Sequence, residues 1–282
     1  MAVAVPGREE PVFRGEIRNQ RSSLRRLVGN LSPHGEALSF CYEAGPCGYR
    51  VYREFVATGH DCMVVAPSLN PRKAGDRVTT DRRDALNPAR LHRAGEVRAV
   101  WVPGTEQEAI RNLTRAREDM KAIEFKARQR LGTFLLRHDR IHAGRKRGTK
   151  AHVRWPQEQS FEHPVQQVVF QEYVDAVTDA QRRVADLDEQ IHQAVTTWSL
   201  RPVVEALISL RGVNVLTVVT VLAELGDLTH FDTPRQLMSH LGLVPSEQPS
   251  GLRRRQDGIT KTGNPYQHPA SPSPGILAGH AF

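Results

Sequence analysis

Three acidic residues in the first hundred positions have the types and spacing of a divalent-metal site. Glu43 precedes the Gly45-Pro46 turn and follows a short strand-like segment, where open α/β sheets bind ligands. Asp81 and Asp84 are three residues apart, so on a helix both carboxylates point the same way. Such hard oxygen ligands could bring Mg²⁺ to a phosphodiester, where the metal would polarise the phosphoryl oxygens and activate an attacking hydroxyl.

Each of these acids also has a plainer interpretation. Glu43 can be a solvated side chain at the end of a strand, because most glutamates are exposed. Asp81 and Asp84 can be acids that decorate the first turn of a helix and interact with its dipole. Spacing alone leaves both interpretations open.

A serine beside three arginines is the second chemical feature. Ser250 is separated by two residues from Arg253, Arg254 and Arg255. A serine hydroxyl is a weak nucleophile without a base or a charge-stabilising neighbour, and three guanidinium groups could neutralise the pentavalent phosphorus of a transesterification. The alternative for the same residues is a flexible basic loop.

The charge of the chain favours a polyanionic partner. Lys and Arg number 39 against 31 acids, which gives net +8 and a pI near 9.8, and each cation placed on a phosphate releases a condensed counterion. Residues 137–154 concentrate this charge around a single acid. The predicted nucleic-acid contacts are Arg145, Lys146, Arg147, Lys150, Arg253, Arg254, Arg255 and Lys261.

Several classes of protein are excluded by the same composition. The three cysteines at positions 41, 47 and 62 can form neither a disulfide framework nor a zinc site. No apolar run approaches the roughly 18 residues of a membrane span, and no signal peptide is recognisable. Residues 258–264 look like a phosphate cradle but lack P-loop spacing, which rejects nucleotide hydrolysis.

The first hundred residues alternate short apolar runs with amphipathic segments. Strands are predicted at 2–5, 12–17, 37–42 and 62–66, and helices at 22–31 and 49–57. The order β-β-α-β-α-β is typical of an α/β sandwich with mixed strand directions.

Two long helices follow, joined by the basic segment. The first covers residues 105–137, and the second carries apolar residues at alternating spacings of three and four, the pattern of a coiled-coil seam. The seam consists of Phe170, Tyr173, Val177, Ala180, Val184, Leu187, Ile191, Ala194 and Trp198. An antiparallel hairpin whose seam pairs with a second copy is predicted, the alternative being a helix packed on its own domain.

The last part of the chain changes character after Pro202. Short helices broken at Gly212, Gly226 and Gly242 are predicted, with backbone amides that can face phosphate. Residues 265–282 contain four prolines and lack Lys, Arg, Asp and Glu, a composition that predicts disorder.

These stretches together resemble the DEDD-motif insertion-sequence transposases. The matching motifs run in the family's order and cover nearly everything up to about Asn264. They are Tyr42-Glu43-Ala44-Gly45, Thr80-Asp81-Arg82-Arg83-Asp84-Ala85, Leu210-Arg211-Gly212-Val213, Glu224-Leu225-Gly226-Asp227 to Phe231, Leu241-Gly242-Leu243-Val244-Pro245, and Ser250-Gly251 with Gly258-Ile259-Thr260-Lys261.

The resemblance implies a fold and a set of roles. It implies an α/β plus α protein with an RNase H-like domain (1–103), a coiled-coil helical hairpin (104–200), a small, mainly helical C-terminal transposase domain (201–264) and a tail (265–282). Glu43, Asp81 and Asp84 match the last three acids of the DEDD set, which bind Mg²⁺, and Ser250 matches the serine that becomes attached to DNA. DNA would be the partner, with an element-encoded guide RNA in some relatives.

Two departures from the family pattern bear on activity. The family's first Asp lies just before the position where this chain starts, and after Asn264 a Pro-Ser-rich tail replaces the family's basic helix. The leading hypothesis is an oligomeric transposase of the bacterial cytoplasm and nucleoid that uses metal-assisted, serine-mediated strand exchange. The alternatives are a catalytically inactive remnant that still dimerises and binds nucleic acid, and a plain RNase H-fold nuclease or junction resolvase.

Overall fold

The computed structural model describes residues 1–66, 80–142, 155–226, 228–243, 245–250 and 253–259. It divides the chain into two compact units, Met1–Val102 and Pro103–Phe282. Each unit is described by itself.

The first unit alternates small strand pairs with helices. Its elements are β1 (Ala2–Val3), β2 (Val12–Phe13), α1 (Arg21–Leu31), β3 (Ser39–Glu43), α2 (Arg50–Ala57), β4 (Asp61–Val65) and α3 (Asp81–Arg93). β1 and β2 are antiparallel, whereas β3 and β4 are parallel and connected through α2. The first six elements follow the predicted order. β2 is shorter than expected because the chain leaves the extended region at Gly15, where φ is +98°.

Packing in this unit is centred on the parallel pair. Phe40 of β3 stacks on Phe55 of α2, with ring centroids 3.8 Å apart. Val64 and Val65 of β4 are almost completely buried. Alternate residues of β3 face opposite sides of the strand pair, and α2 packs on the side that carries Phe40.

The second unit is built on two long helices, α4 (Thr105–Arg137) and α5 (Pro164–Thr197), with a 3₁₀ turn at Trp155–Glu158 between them. Contacts along the helices establish that they are antiparallel. Ser199, just beyond α5, donates a hydrogen bond of 2.7 Å to the Glu106 carboxylate near the start of α4. At the other end, the rings of Phe134 and Phe170 stack with centroids 6.3 Å apart.

The seam of α5 faces α4 of the same chain. Phe170, Ala180, Ile191 and Trp198 are all buried within one chain. The two helices form the predicted antiparallel hairpin, and the rest of the seam is half-exposed. Pairing with a second copy stays a prediction.

The helices after the hairpin share a core with its open end. They are α6 (Arg201–Ile208), α7 (Val215–Leu225), a 3₁₀ turn at Leu228–His230 and α8 (Pro234–His240). Asn214 caps α7, its side-chain oxygen accepting from the Thr217 amide at 2.8 Å. The core combines Ile110, Ile191, Trp198, Val204, Val218, Val219, Leu222 and Ala223. Residues on both sides of position 200 thus pack together.

The described chain ends with a β-hairpin. β5 (Pro245–Ser250) pairs antiparallel with β6 (Arg253–Ile259). The region is therefore mainly, but not entirely, helical. The predicted disordered tail at 265–282 lies outside the described residues. Among the helices that the structure describes, none is long and apolar enough to cross a membrane.

Candidate functional site

Glu43 is the last residue of β3 and is exposed. β3 ends in register with β4, Glu43 opposite Val65, and the amide of Ala44 donates to the Val65 carbonyl at 2.8 Å. Burial raises the pKa of the Cys41 thiol to about 11, and the Glu43 carboxylate adds to this rise. Glu43 therefore projects from the carboxyl end of a parallel strand pair, as the sequence predicts.

The two aspartates lie in the first turn of α3, as expected from their spacing, and both are exposed. Thr80 begins the helix, its hydroxyl accepting from the Arg83 amide at 3.4 Å. Pro88 lies inside α3. Since proline has no N–H, the helix lacks the bond that this residue would otherwise donate to the Asp84 carbonyl.

Two side-chain contacts fix how α3 lies against β3. Ser39 is 2.9 Å from the His92 ring (Oγ to Nε2), and the Cys41 thiol donates to the Pro88 carbonyl at 3.7 Å. Two residues along a strand span about 6.6 Å, and four along a helix span about 6 Å. The spacing of the two contacts is thus the same on both elements, and α3 runs antiparallel to β3.

The described residues do not form a closed metal site. No group of three or more His, Cys, Asp or Glu side chains in the described ranges is arranged to hold an ion. β3 and α3, which carry these acids, lie side by side. The carboxylates of Glu43, Asp81 and Asp84 are not gathered around one point. The donor set itself, carboxylates only, suits a hard cation such as Mg²⁺.

Ser250 is the last residue of β5, and its backbone pairs with Arg253, the first residue of β6. Arg254 and Arg255 pair with Pro249 and Gln248. The serine and the three arginines therefore occupy adjoining positions of one β-hairpin instead of a loop without regular structure. The predicted contacts Arg145, Lys146, Arg147, Lys150 and Lys261 lie outside the described residues.

Sequence reasoning missed a buried polar cluster in the second unit, made by Gln107, Arg111, Arg115 and Glu224 and called the Glu224 cluster below. Arg115 holds the Glu224 carboxylate with two hydrogen bonds of 2.7 and 2.8 Å. Gln107 donates to the carbonyls of Leu222 and Ala223 at 2.7 and 3.0 Å.

The same cluster satisfies the end of α7. Arg111 donates to the carbonyls of Ala223 and Glu224, at 2.9 and 3.1 Å. The last carbonyls of a helix have no partner within the helix and carry its negative dipole end, so these donors compensate both. The available signal was the spacing of Gln107, Arg111 and Arg115, four residues apart on one face of α4.

Comparison with known proteins identifies a family. A DEDD transposase model of the IS110 type, described as "Transposase", matches residues 1–138, and the model "Transposase IS116/IS110/IS902 family" matches residues 204–270. The chain belongs to the DEDD insertion-sequence transposases. Glu43, Asp81 and Asp84 fall in the first matched segment, and Ser250 falls in the second.

Individual relatives carry the same description. The chain is similar to "Putative transposase y4qE" of Sinorhizobium fredii, 46% identical over 265 residues that cover 94% of this chain and 65% of the relative. The transposase for insertion sequence element IS1533 of Leptospira borgpetersenii is 30% identical over 214 residues, 75% of this chain and 62% of the relative. "Probable family 20 transposase" of Pseudomonas aeruginosa is 27% identical over 92% of this chain and 74% of the relative. The chain thus spans less than two thirds of the length of the first two relatives.

Proposed function

We propose that this member of the family acts on DNA as an insertion-sequence transposase, by strand exchange that the acids of an RNase H-like first unit assist through a metal and that a C-terminal serine mediates. The observation that carries the proposal is the match of the two transposase models to residues 1–138 and 204–270, the segments that hold the three acids and Ser250.

The roles of the residues follow from their chemistry. Glu43, Asp81 and Asp84 would hold Mg²⁺, which when bound polarises phosphoryl oxygens and lowers the cost of forming an alkoxide. Ser250 would attack the phosphorus, and the arginines beside it would neutralise the charge that develops on the phosphoryl oxygens. The attack would form an Oγ–phosphorus bond and break the bond from phosphorus to the 3′ or 5′ oxygen, with the serine proton passing through water to that leaving oxygen.

The partner in this proposal is DNA, held mainly by phosphate contacts. About six such contacts on duplex DNA would give a log–log salt slope of about −5. A guide RNA, which the resemblance implies for some relatives, and a homo-oligomer, which the seam of α5 predicts, would be additions to this DNA complex.

The test is to trap a covalent protein–DNA adduct. The chain is incubated with DNA of the element's ends and Mg²⁺, beside the variants Ser250→Ala and Asp84→Asn. Asp61→Asn is the matched control, because Asp61 is an exposed acid at the opposite end of β4, about 13 Å along the strand from Val65.

The outcomes separate the hypotheses. An adduct that requires Ser250 and Asp84 but not Asp61 supports the transposase. Cleavage that survives Ser250→Ala and requires Asp84 favours a plain nuclease. Salt-dependent DNA binding without any reaction would mean an inactive remnant.

A further inference from the structure

A groove near the closed end of the hairpin is not used by the proposed chemistry. It has a volume of about 730 Å³ and lies between α4 and α5. Leu131, Leu135, Val174 and Val177 form an apolar wall. The size is that of pockets that bind small ligands, about 300–1,000 Å³, and such pockets are mostly apolar with a few polar groups.

The rim of the groove carries aromatic and polar groups suited to a planar ligand with hydrogen-bonding edges. Trp155 and His142 line it, with ring centroids 5.5 Å apart. Gln129, Thr133 and Gln181 add amide and hydroxyl groups. A nucleobase has a face that stacks on aromatic rings and an edge that bonds to such side chains.

The charge around the groove selects an anionic partner. Arg128 and Arg140 line it, and residues 121–142 hold six lysines and arginines against two acids. A second copy seated here would bring two such segments together, which like-charge repulsion opposes.

Gly132 lines the groove and leaves space there because it has no side chain. It lies inside α4, where glycine is a poor helix former, it is exposed, and a Cβ added there would meet nothing within 4 Å. Any larger side chain at this position would enter the groove.

We infer that this groove binds an unpaired base of the DNA whose phosphates are held by the surrounding cations. The inference rests on the proposed function only in that DNA is the partner. It assigns to the hairpin end the recognition of locally opened DNA, in which a base is free to leave the stack.

The test compares two DNA probes of equal length and phosphate number, one fully paired and one with four central mismatches. We expect the wild-type chain to bind the mismatched probe about tenfold more tightly, within the range that one stacked base contributes. Gly132→Leu should abolish the preference while leaving binding of the paired probe unchanged. Trp155→Ala should weaken it, and Trp155→Phe should retain it.

The matched control is Gly29→Leu. Gly29 is likewise an exposed glycine inside a helix, α1, with nothing within 4 Å of an added Cβ. It should keep the tenfold preference. Thermal unfolding of both leucine variants checks that neither loses the fold.

Three results would overturn the inference. Equal affinity for the two probes would mean that the groove does not bind an unpaired base, and the proposed function would stand. Absence of binding to both probes would count against the proposed function itself. If the wild-type chain is a dimer without DNA and Gly132→Leu makes it a monomer, the groove binds a second copy. Tighter binding of the mismatched probe made as RNA would assign it to RNA.

Discussion

The carboxylates of the two units differ in their exposure to solvent. In the first unit, Glu43, Asp81 and Asp84 are exposed at element ends. In the second, the side chain of Glu224 is only 1% exposed and is held by Arg115 and Arg111. The first set is exposed to solvent, whereas Glu224 is buried and paired.

This difference separates charges that stabilise the protein from charges that are available to a ligand. A buried carboxylate must be paired, because desolvation otherwise costs several kcal/mol. An exposed carboxylate keeps its water and can exchange it for a cation. The comparison therefore predicts that changes at Glu224 affect stability and that changes at Asp84 affect binding.

The largest effect is expected from Glu224→Ala. It leaves Arg111, itself only 8% exposed, without its carboxylate, and breaking a buried pair in this way typically costs about 3 kcal/mol. Chemical denaturation of the whole chain measures the loss. A cost below about 0.5 kcal/mol, the level of a surface pair, would break the comparison.

Asp84→Asn should leave stability unchanged and remove a response to metal. If the acids of the first unit bind Mg²⁺ with a Kd of about 1 mM, about 10 mM Mg²⁺ stabilises the wild type by about 1.4 kcal/mol. The variant should show no such gain, whereas Asp61→Asn should keep it. Calcium and magnesium titrations followed by thermal unfolding provide the measurement.

A smaller effect is expected at alkaline pH. Burial raises the pKa of Cys41 from 9.0 to about 11, with Glu43 as a second cause. The unfolded chain loses this proton first, so the contribution to stability is complete below pH 9 and is lost as the pH rises to 11. Glu43→Gln should lower the pKa of Cys41 slightly, while the value stays above 9. Thiolate absorbance during a pH titration tests this, and an unchanged pKa would place the carboxylate away from the thiol.

The smallest effect belongs to an exposed pair on α6. Arg201 and Glu205 form a 2.7 Å ion pair with both side chains more than half exposed. Glu205→Ala should cost about 0.3–0.5 kcal/mol. It is the matched control for Glu224→Ala, and similar costs at the two positions would mean that burial does not decide the value of a pair in this protein.

Much of the fold is predictable from local pattern. The spacing of apolar residues locates α2 and α4 within about a residue of their observed ends. The seam identifies α5, but it begins at Phe170, whereas the helix begins at Pro164. Local pattern fails for β5 and β6, because Pro245, Pro249 and three consecutive arginines lack the alternation that marks a strand.

The pair Asp81 and Asp84 and the Glu224 cluster also differ in how far they can be predicted from local sequence. Asp81 and Asp84 could be found because their relation is local, three residues on one helix. The Glu224 cluster could not, since its hydrogen bonds join residues 109 to 116 positions apart. A stripe of polar residues on α4 indicates that something polar is opposite, but not which segment.

That long separation also sets an order of events during synthesis. At about 5–20 residues per second, roughly 5–20 s pass between the emergence of the first turns of α4 from the ribosome and that of the end of α7. Throughout this interval Ile110 and its neighbours on α4 lack the helix that later covers them. The nascent chain is therefore most prone to aggregation after α4 has emerged and before residue 225, and a folding chaperone would act in this window.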